Sequence, residues 1–183
     1  MHVFLTGPIQ IGKSTIIKRT LGQLNRTYGG FKTYFGPDRS SDDRLLYLNE
    51  AAEPKFFTTD HGIAVFKKDC LPQVDDARFN TDGVTLIQQA KANAAMIVMD
   101  ECGNLERNAL TFQREILNTL DGDTPVLGVI KYDSNGWTDM IRCHKKVKLI
   151  TVTSQNRNEL PARLVNYYLQ SGCLKISDGY LLS

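Results

Sequence analysis

The sequence predicts an α/β fold of three layers, a mostly parallel central sheet with helices on both faces, and two observations carry that prediction. Strand-like and helix-like segments alternate from end to end, the pattern that calls for parallel strands joined by helical crossovers. The first strand and helix also enclose Gly7-Pro8-Ile9-Gln10-Ile11-Gly12-Lys13-Ser14, a complete G-x-x-x-x-G-K-[ST] run. At 183 residues, 42% of them hydrophobic, the chain is long and apolar enough for one sizeable core, and a single domain is expected.

Taken in order, Val3 to Leu5 is an apolar strand, and the helix after the Gly-rich run carries Ile16, Ile17, Thr20, Leu21 and Leu24 at helical spacing. Tyr28-Gly29-Gly30 reads as a turn and Phe31 to Phe35 as a second strand. Residues 36–43 are turn formers and charges, so Leu45 to Leu48 is expected as a further extended segment, antiparallel to its neighbour. Gly62 to Phe66 offers another strand, and residues 67–80 read as a long irregular loop. Thr81 is placed as the cap of a helix whose apolar face is Val84, Ile87, Ala90 and Ala94. That helix feeds Ala95 to Met99, an apolar run ending in two acids. Phe112, Ile116, Leu117 and Leu120 mark the next helix, followed by strands at Val126 to Ile130 and Val147 to Val152. The last helix shows Leu160, Leu164, Tyr167 and Tyr168 on one face, with Pro161 allowed in its first turn. A small hairpin around Asp178-Gly179 ends the chain.

The Gly-rich run between a strand and a helix is a phosphate cradle. Its turn lets backbone N–H groups approach phosphate oxygens, and the helix N-terminus adds partial positive charge. Lys13 is then the side chain that reaches the outer phosphates and Ser14 the one that contacts Mg²⁺, so a nucleoside triphosphate is the expected ligand and Mg²⁺ the expected cofactor. Such a loop calls for an acid at the end of a neighbouring strand. Asp100 supplies it as the second metal-holding residue, with Glu101, one position beyond the strand, aimed to polarise a water at the γ-phosphate. That carboxylate favours hydrolysis over transfer to a bound hydroxyl.

Four segments are similar to those of the small cancer-related nucleoside-triphosphatase family of P-loop proteins: Val3 through Ser14, Gly30-Phe31-Lys32-Thr33, Asp100-Glu101-Cys102-Gly103-Asn104-Leu105-Glu106, and Val152-Thr153-Ser154-Gln155-Asn156-Arg157-Asn158-Glu159-Leu160. Order and spacing agree from Met1 to about Leu164, weakly over residues 36–80. The resemblance implies an Mg²⁺-dependent hydrolase accepting ATP and GTP. It carries over a nucleotide-binding surface made of Gly7, Pro8, Ile9, Gln10, Ile11, Gly12, Lys13, Ser14 and Thr15 together with Ile97, Val98, Met99, Asp100, Glu101, Cys102, Gly103 and Asn104. The chain departs from the family at Ile9-Gln10, where Pro-Gly is common. A non-glycine residue there demands either a different turn or a strained φ.

Transition-state charge beyond Lys13 calls for an arginine. Arg157 is the leading candidate for that catalytic role, at a strand-to-helix junction where open α/β sheets hold ligands. A surface arginine pairing with Glu159 is the alternative, and Arg39 and Arg44 stand behind it. Glu106 either stays near the nucleotide or begins the next helix. Trp137 is expected as a packed aromatic on a short helix rather than a base-stacking ring.

With 22 Lys and Arg against 20 Asp and Glu, the net charge of +2 argues against nucleic acid as the main partner and against an anionic membrane. The strand and loop follow Met1 so closely that no signal peptide fits before them, and no apolar run has membrane-spanning length, so a cytoplasmic location is expected. The four cysteines form no C-x-x-C and are expected as free thiols. Two rival readings stand beside the hydrolase: a nucleotide or small-molecule kinase with its acceptor pocket in residues 36–80, and a nucleotide-dependent switch acting on another protein.

Overall fold

A computed structural model describes residues 1–170 of the chain. The hairpin expected at Asp178-Gly179 lies outside them. Strand β1 (His2–Thr6) leads through the Gly-rich loop into α1 (Lys13–Leu24). There follow β2 (Tyr28–Phe35), β3 (Arg44–Glu50), β4 (Gly62–Phe66) and β5 (Gln73–Val74). A short helix α2 (Asp76–Arg78) passes through a π-helical turn (Phe79–Gly83) into α3 (Val84–Asn93), which delivers β6 (Met96–Cys102). A 3-10 turn (Leu105–Asn108), α4 (Leu110–Asp121), β7 (Val126–Ile130), α5 (Trp137–Arg142), β8 (Val147–Thr151) and α6 (Leu160–Gln170) complete the order.

The strands form one sheet in the order β5-β4-β3-β2-β6-β7-β1-β8. Pairings from β2 through β8 are parallel, while β2 to β5 continue the sheet as an antiparallel meander. The expected three-layer arrangement is therefore observed. It follows from period-two alternation in strands buried on both faces. Val3 and Leu5 of β1 and Met96 and Val98 of β6 pack on Ile16, Ile17 and Leu21 of α1 and Leu160 and Leu164 of α6. Phe4, Ile97 and Met99 point the other way, onto Ile87 of α3, Phe112 and Ile116 of α4, and Ile141 of α5.

Four details depart from the sequence reading. Tyr28-Gly29-Gly30 is the start of β2 and not a turn. Gly30 has φ +108°, and a Cβ there would lie 2.2 Å from the Val98 carbonyl oxygen, so glycine serves close strand approach. Residues 67–80 are less irregular than expected, because Val74 and Gln73 pair with Ala64 and Val65 of β4. The helix start lies six residues before Thr81, since the Asp75 carboxylate accepts the Arg78 N–H at 3.0 Å and is the better cap. Finally, β7 lies between β1 and β6, so the strand bearing Asp100 is the second neighbour of β1.

Candidate nucleotide site

The chemistry-bearing residues gather at the C-terminal ends of β1, β6 and β2, where an open parallel sheet places its ligands. The loop after β1 closes through an Ile11 N–H to Pro8 carbonyl bond at 3.3 Å. Gly7 has φ +138°, and a Cβ on it would meet the Val152 carbonyl oxygen at 2.7 Å, so only glycine fits where the loop passes the end of β8. Gln10 adopts φ +63°. The strained φ expected of a non-glycine residue at this position is thus present. Helix α1 begins at Lys13 with no side-chain cap and no acid in its first turn, which leaves its N-terminal N–H groups directed at the loop without an internal anion. The Lys13 ammonium donates to the Gly7 carbonyl at 2.8 Å and the Pro8 carbonyl at 3.0 Å, holding it inside the loop. Ser14 and Thr15 are exposed, as are Pro8, Ile9 and Gln10.

Ser14 and Asp100 line one cavity, and the Ser14 hydroxyl stands close enough to favour the charged form of the Asp100 carboxyl. Although β7 separates the two strands, α1 shares its core with Met96 and Val98 of β6 as well as with β7, and that crossing brings Ser14 over the end of β6. Burial raises the Asp100 carboxyl above its ordinary value, against the Ser14 hydroxyl and the charges of Lys13 and Lys55. Glu101 is raised likewise, first by burial and then by Asp100, with Lys13 and Lys131 opposing. Two acids flanked by three lysines are thus brought together at one edge.

The strand does not stop at Met99. β6 continues through Glu101 to Cys102, with a register shift against β7 between Met99 and Cys102 and a cis peptide between Asp100 and Glu101. Thr33 of β2, which the sequence placed only within a matched segment, spans that peptide. Its hydroxyl donates to the Asp100 carbonyl and accepts the Glu101 N–H, each at 3.4 Å. Ile97, Val98, Met99, Cys102 and Gly103 are buried, so most of the segment expected as nucleotide surface supports Asp100 and Glu101 from below. Asn104 is half-buried and accepts from the Arg107 Nε at 3.0 Å.

Arg157 is exposed in the turn between β8 and α6. Reciprocal bonds shape that turn: Asn156 Oδ1 accepts the Thr153 N–H at 2.9 Å and Thr153 Oγ1 accepts the Asn156 N–H at 3.3 Å. Because Val152 touches the loop at Gly7, the turn stands beside the Gly-rich loop. Glu106 turns inward instead and accepts the Gly103 N–H at 2.8 Å. Trp137 is packed as expected, its indole N–H donating to the Gly103 carbonyl at 2.7 Å.

A sequence model of the family described as NTPase matches residues 2–165. The chain belongs to this family. Among relatives, nucleoside-triphosphatase THEP1 of Methanosarcina acetivorans is 28% identical over 176 residues, covering 93% of this chain and 98% of the relative. The cancer-related nucleoside-triphosphatase homolog of Bos taurus is 26% identical over 194 residues, covering 93% and 97%. In structure, the crystallised THEP1 of Aquifex aeolicus superposes with a TM-score of 0.73 at 20% identity, over 91% of this chain and 98% of that one. The resemblance carried by the four motifs is therefore borne out, and membership places the chain among nucleoside-triphosphatases.

Proposed function

We propose that the protein hydrolyses the β–γ bond of ATP and GTP in an Mg²⁺-dependent reaction at the ends of β1 and β6. The observation that carries this reading is the meeting of Ser14, at the end of the Gly-rich loop, with Asp100 in the wall of one cavity, close enough for the Ser14 hydroxyl to favour the charged form of the carboxyl. Among the described residues no group of three or more His, Cys, Asp or Glu is placed to hold a metal by itself. A hydroxyl and one carboxylate nevertheless suit Mg²⁺, which keeps waters and takes its remaining oxygens from substrate phosphates. The bound ion would supply charge neutralisation between the β- and γ-phosphates.

The chain's own residues do the rest. Backbone N–H groups of the loop from Gly7 to Thr15 bind the phosphates, and the Lys13 ammonium neutralises charge developing on the phosphoryl oxygens. Glu101 accepts a hydrogen bond from the attacking water and draws on its proton, a task suited to a carboxylate whose burial has raised its proton affinity. Thr33 fixes the peptide between the two acids and so positions Glu101. Arg157 adds charge from the β8–α6 turn.

The test is Glu101→Gln, read by equilibrium binding of Mg·ATP and single-turnover phosphate release on one preparation. Binding is expected within a few-fold of wild type while cleavage falls roughly a hundredfold or more. Comparable cleavage rates would remove Glu101 from the mechanism and put the switch reading in front. Loss of background hydrolysis with intact transfer to an added acceptor would favour the kinase. In parallel, Asp100→Ala is expected to raise the Mg²⁺ concentration for half-maximal activity; an unchanged titration would require another metal site.

A further inference from the structure

From Ser14 and Asp100 a cavity of about 680 Å³ extends along the flank of α1, under the segment that follows β3. Its size is that of a small-molecule site and is some twenty times the space of one water, the only co-substrate hydrolysis needs. It also runs away from the phosphate cradle. Ser14, Lys18 and Leu21 all line it, and seven residues of helix carry it about 10 Å down the axis from the N-terminus, beyond the place of a γ-phosphate held at Ser14.

The lining divides by chemistry. Near Ser14 and Asp100 stand Lys18, Lys32 and Lys55, with Glu53 as the further acid. Lys32 is half-buried, and its ammonium donates to the Ala51 carbonyl at 3.1 Å and to the Glu53 carbonyl, which fixes it at the wall. Lys55 lies 4.6 Å over the Tyr34 ring, whose hydroxyl accepts the Phe56 N–H at 2.8 Å and donates to the Phe56 carbonyl at 3.2 Å. Among the described residues no carboxylate comes within ion-pair distance of Lys18, Lys32 or Lys55. Two of these lysines are thus held in place by neutral groups, and although Glu50 and Glu53 act on Lys32 and Asp100 on Lys55 from a distance, neither ammonium is closed into an ion pair that a ligand would have to break. At the far end, the third turn of α1 and the start of β2, the wall changes to Leu21 and Tyr28.

We propose that this cavity is a second ligand site for a small phosphate monoester with a flat, apolar body. Its phosphate sits against Lys32 and Lys55 beside Ser14, and its body lies along Leu21 and Tyr28. The inference rests on the reading of Ser14 as part of the triphosphate site, because that reading fixes which end of the cavity faces the γ-phosphate.

AMP is the probe. The full chain is saturated with Mg²⁺ and a non-hydrolysable ATP analogue, whose own affinity is measured first, and AMP is then titrated by calorimetry. AMP is expected to bind this complex with a dissociation constant of about 1 mM or tighter, and adenosine, lacking the anion, is expected to bind at least tenfold more weakly. Lys32→Met with Lys55→Met should weaken AMP roughly tenfold, read on complexes saturated with the analogue at a concentration set by each variant's own affinity for it. Because Lys32 also holds the segment after β3, Lys18→Glu serves as a second variant on an exposed helix position and should weaken AMP in the same direction. The proposal is overturned if AMP does not bind the saturated complex, if adenosine binds as well as AMP, or if both variants bind AMP as wild type does. Simple displacement of the analogue by AMP overturns it too, since the two would then share one site. Failure of the analogue itself to bind would instead strike the triphosphate reading, and with it the orientation argued here.

Discussion

Replacing Glu106 by glutamine should make the protein more stable, and only above mildly acidic pH. Glu106 lies in the 3-10 turn after β6 with 3% of its surface exposed. Burial pushes its pKa from 4.5 to about 7; Glu101 adds to the rise, while the Gly103 N–H and Lys131 oppose it. Below pH 4.5 the group is protonated whether the chain is folded or not. Between 4.5 and about 7 the native state holds a proton that the unfolded chain has released, so stability falls as pH rises through that interval. At 1.36 kcal/mol per pH unit the loss amounts to about 3 kcal/mol. Glutamine is neutral throughout, and its carbonyl oxygen keeps the bond from the Gly103 N–H.

The assay is urea unfolding of wild type and Glu106→Gln from pH 4 to 8, followed by the fluorescence of Trp137, the chain's one tryptophan, whose indole is bonded to the Gly103 carbonyl. The two proteins should be of similar stability near pH 4.5 and diverge to about 3 kcal/mol by pH 8. In thermal unfolding that gap corresponds to roughly 6–12 °C for a chain of this length. Stability curves that stay parallel across the interval would show that Glu106 does not carry its native proton into neutral pH, and the argument from burial would fail.

His2 should act in the opposite direction. It is fully buried, Nε2 lies 2.9 Å from the Leu120 carbonyl oxygen, and burial followed by the nearby amino terminus lowers its pKa from 6.5 to about 4. The unfolded chain gains the proton first, so stability is lost as pH falls from 6.5 toward about 4, and His2→Gln should abolish that part of the acid slope, up to about 3 kcal/mol; an unchanged slope would refute it. At Gln10, whose φ is +63°, glycine should be tolerated with a change within about 1 kcal/mol, whereas Gln10→Val should cost about 1–2 kcal/mol in thermal unfolding, because a branched Cβ is disfavoured there. Equal stability of the two variants would show that the loop relaxes around position 10.

The residues legible in the sequence are those whose partners lie a few positions away or whose role is set by the local chain. The Gly-rich loop is marked by its own glycines, Lys13 and Ser14, and the acids at the end of an apolar run announce themselves. The last helix and the strands at 126–130 and 147–151 follow from periodicity alone. Glycines were harder, because Gly30 next to Gly29 reads as a turn until Val98 is known to lie against it. What the sequence conceals is register. Lys32 pairs with Asp100 across 68 positions of chain, and Thr33 reaches the Asp100–Glu101 peptide only because β2 is the strand beside β6. No local pattern states that adjacency, nor that β7 intervenes between β1 and β6. The same long-range pairing also explains why the weakly matching meander matters for the site. Once β2 is fixed beside Asp100, the strands and the segment at 51–55 must stand along the flank of α1, and they carry Lys32, Lys55 and Tyr34 to a place that composition and spacing could not have assigned to them.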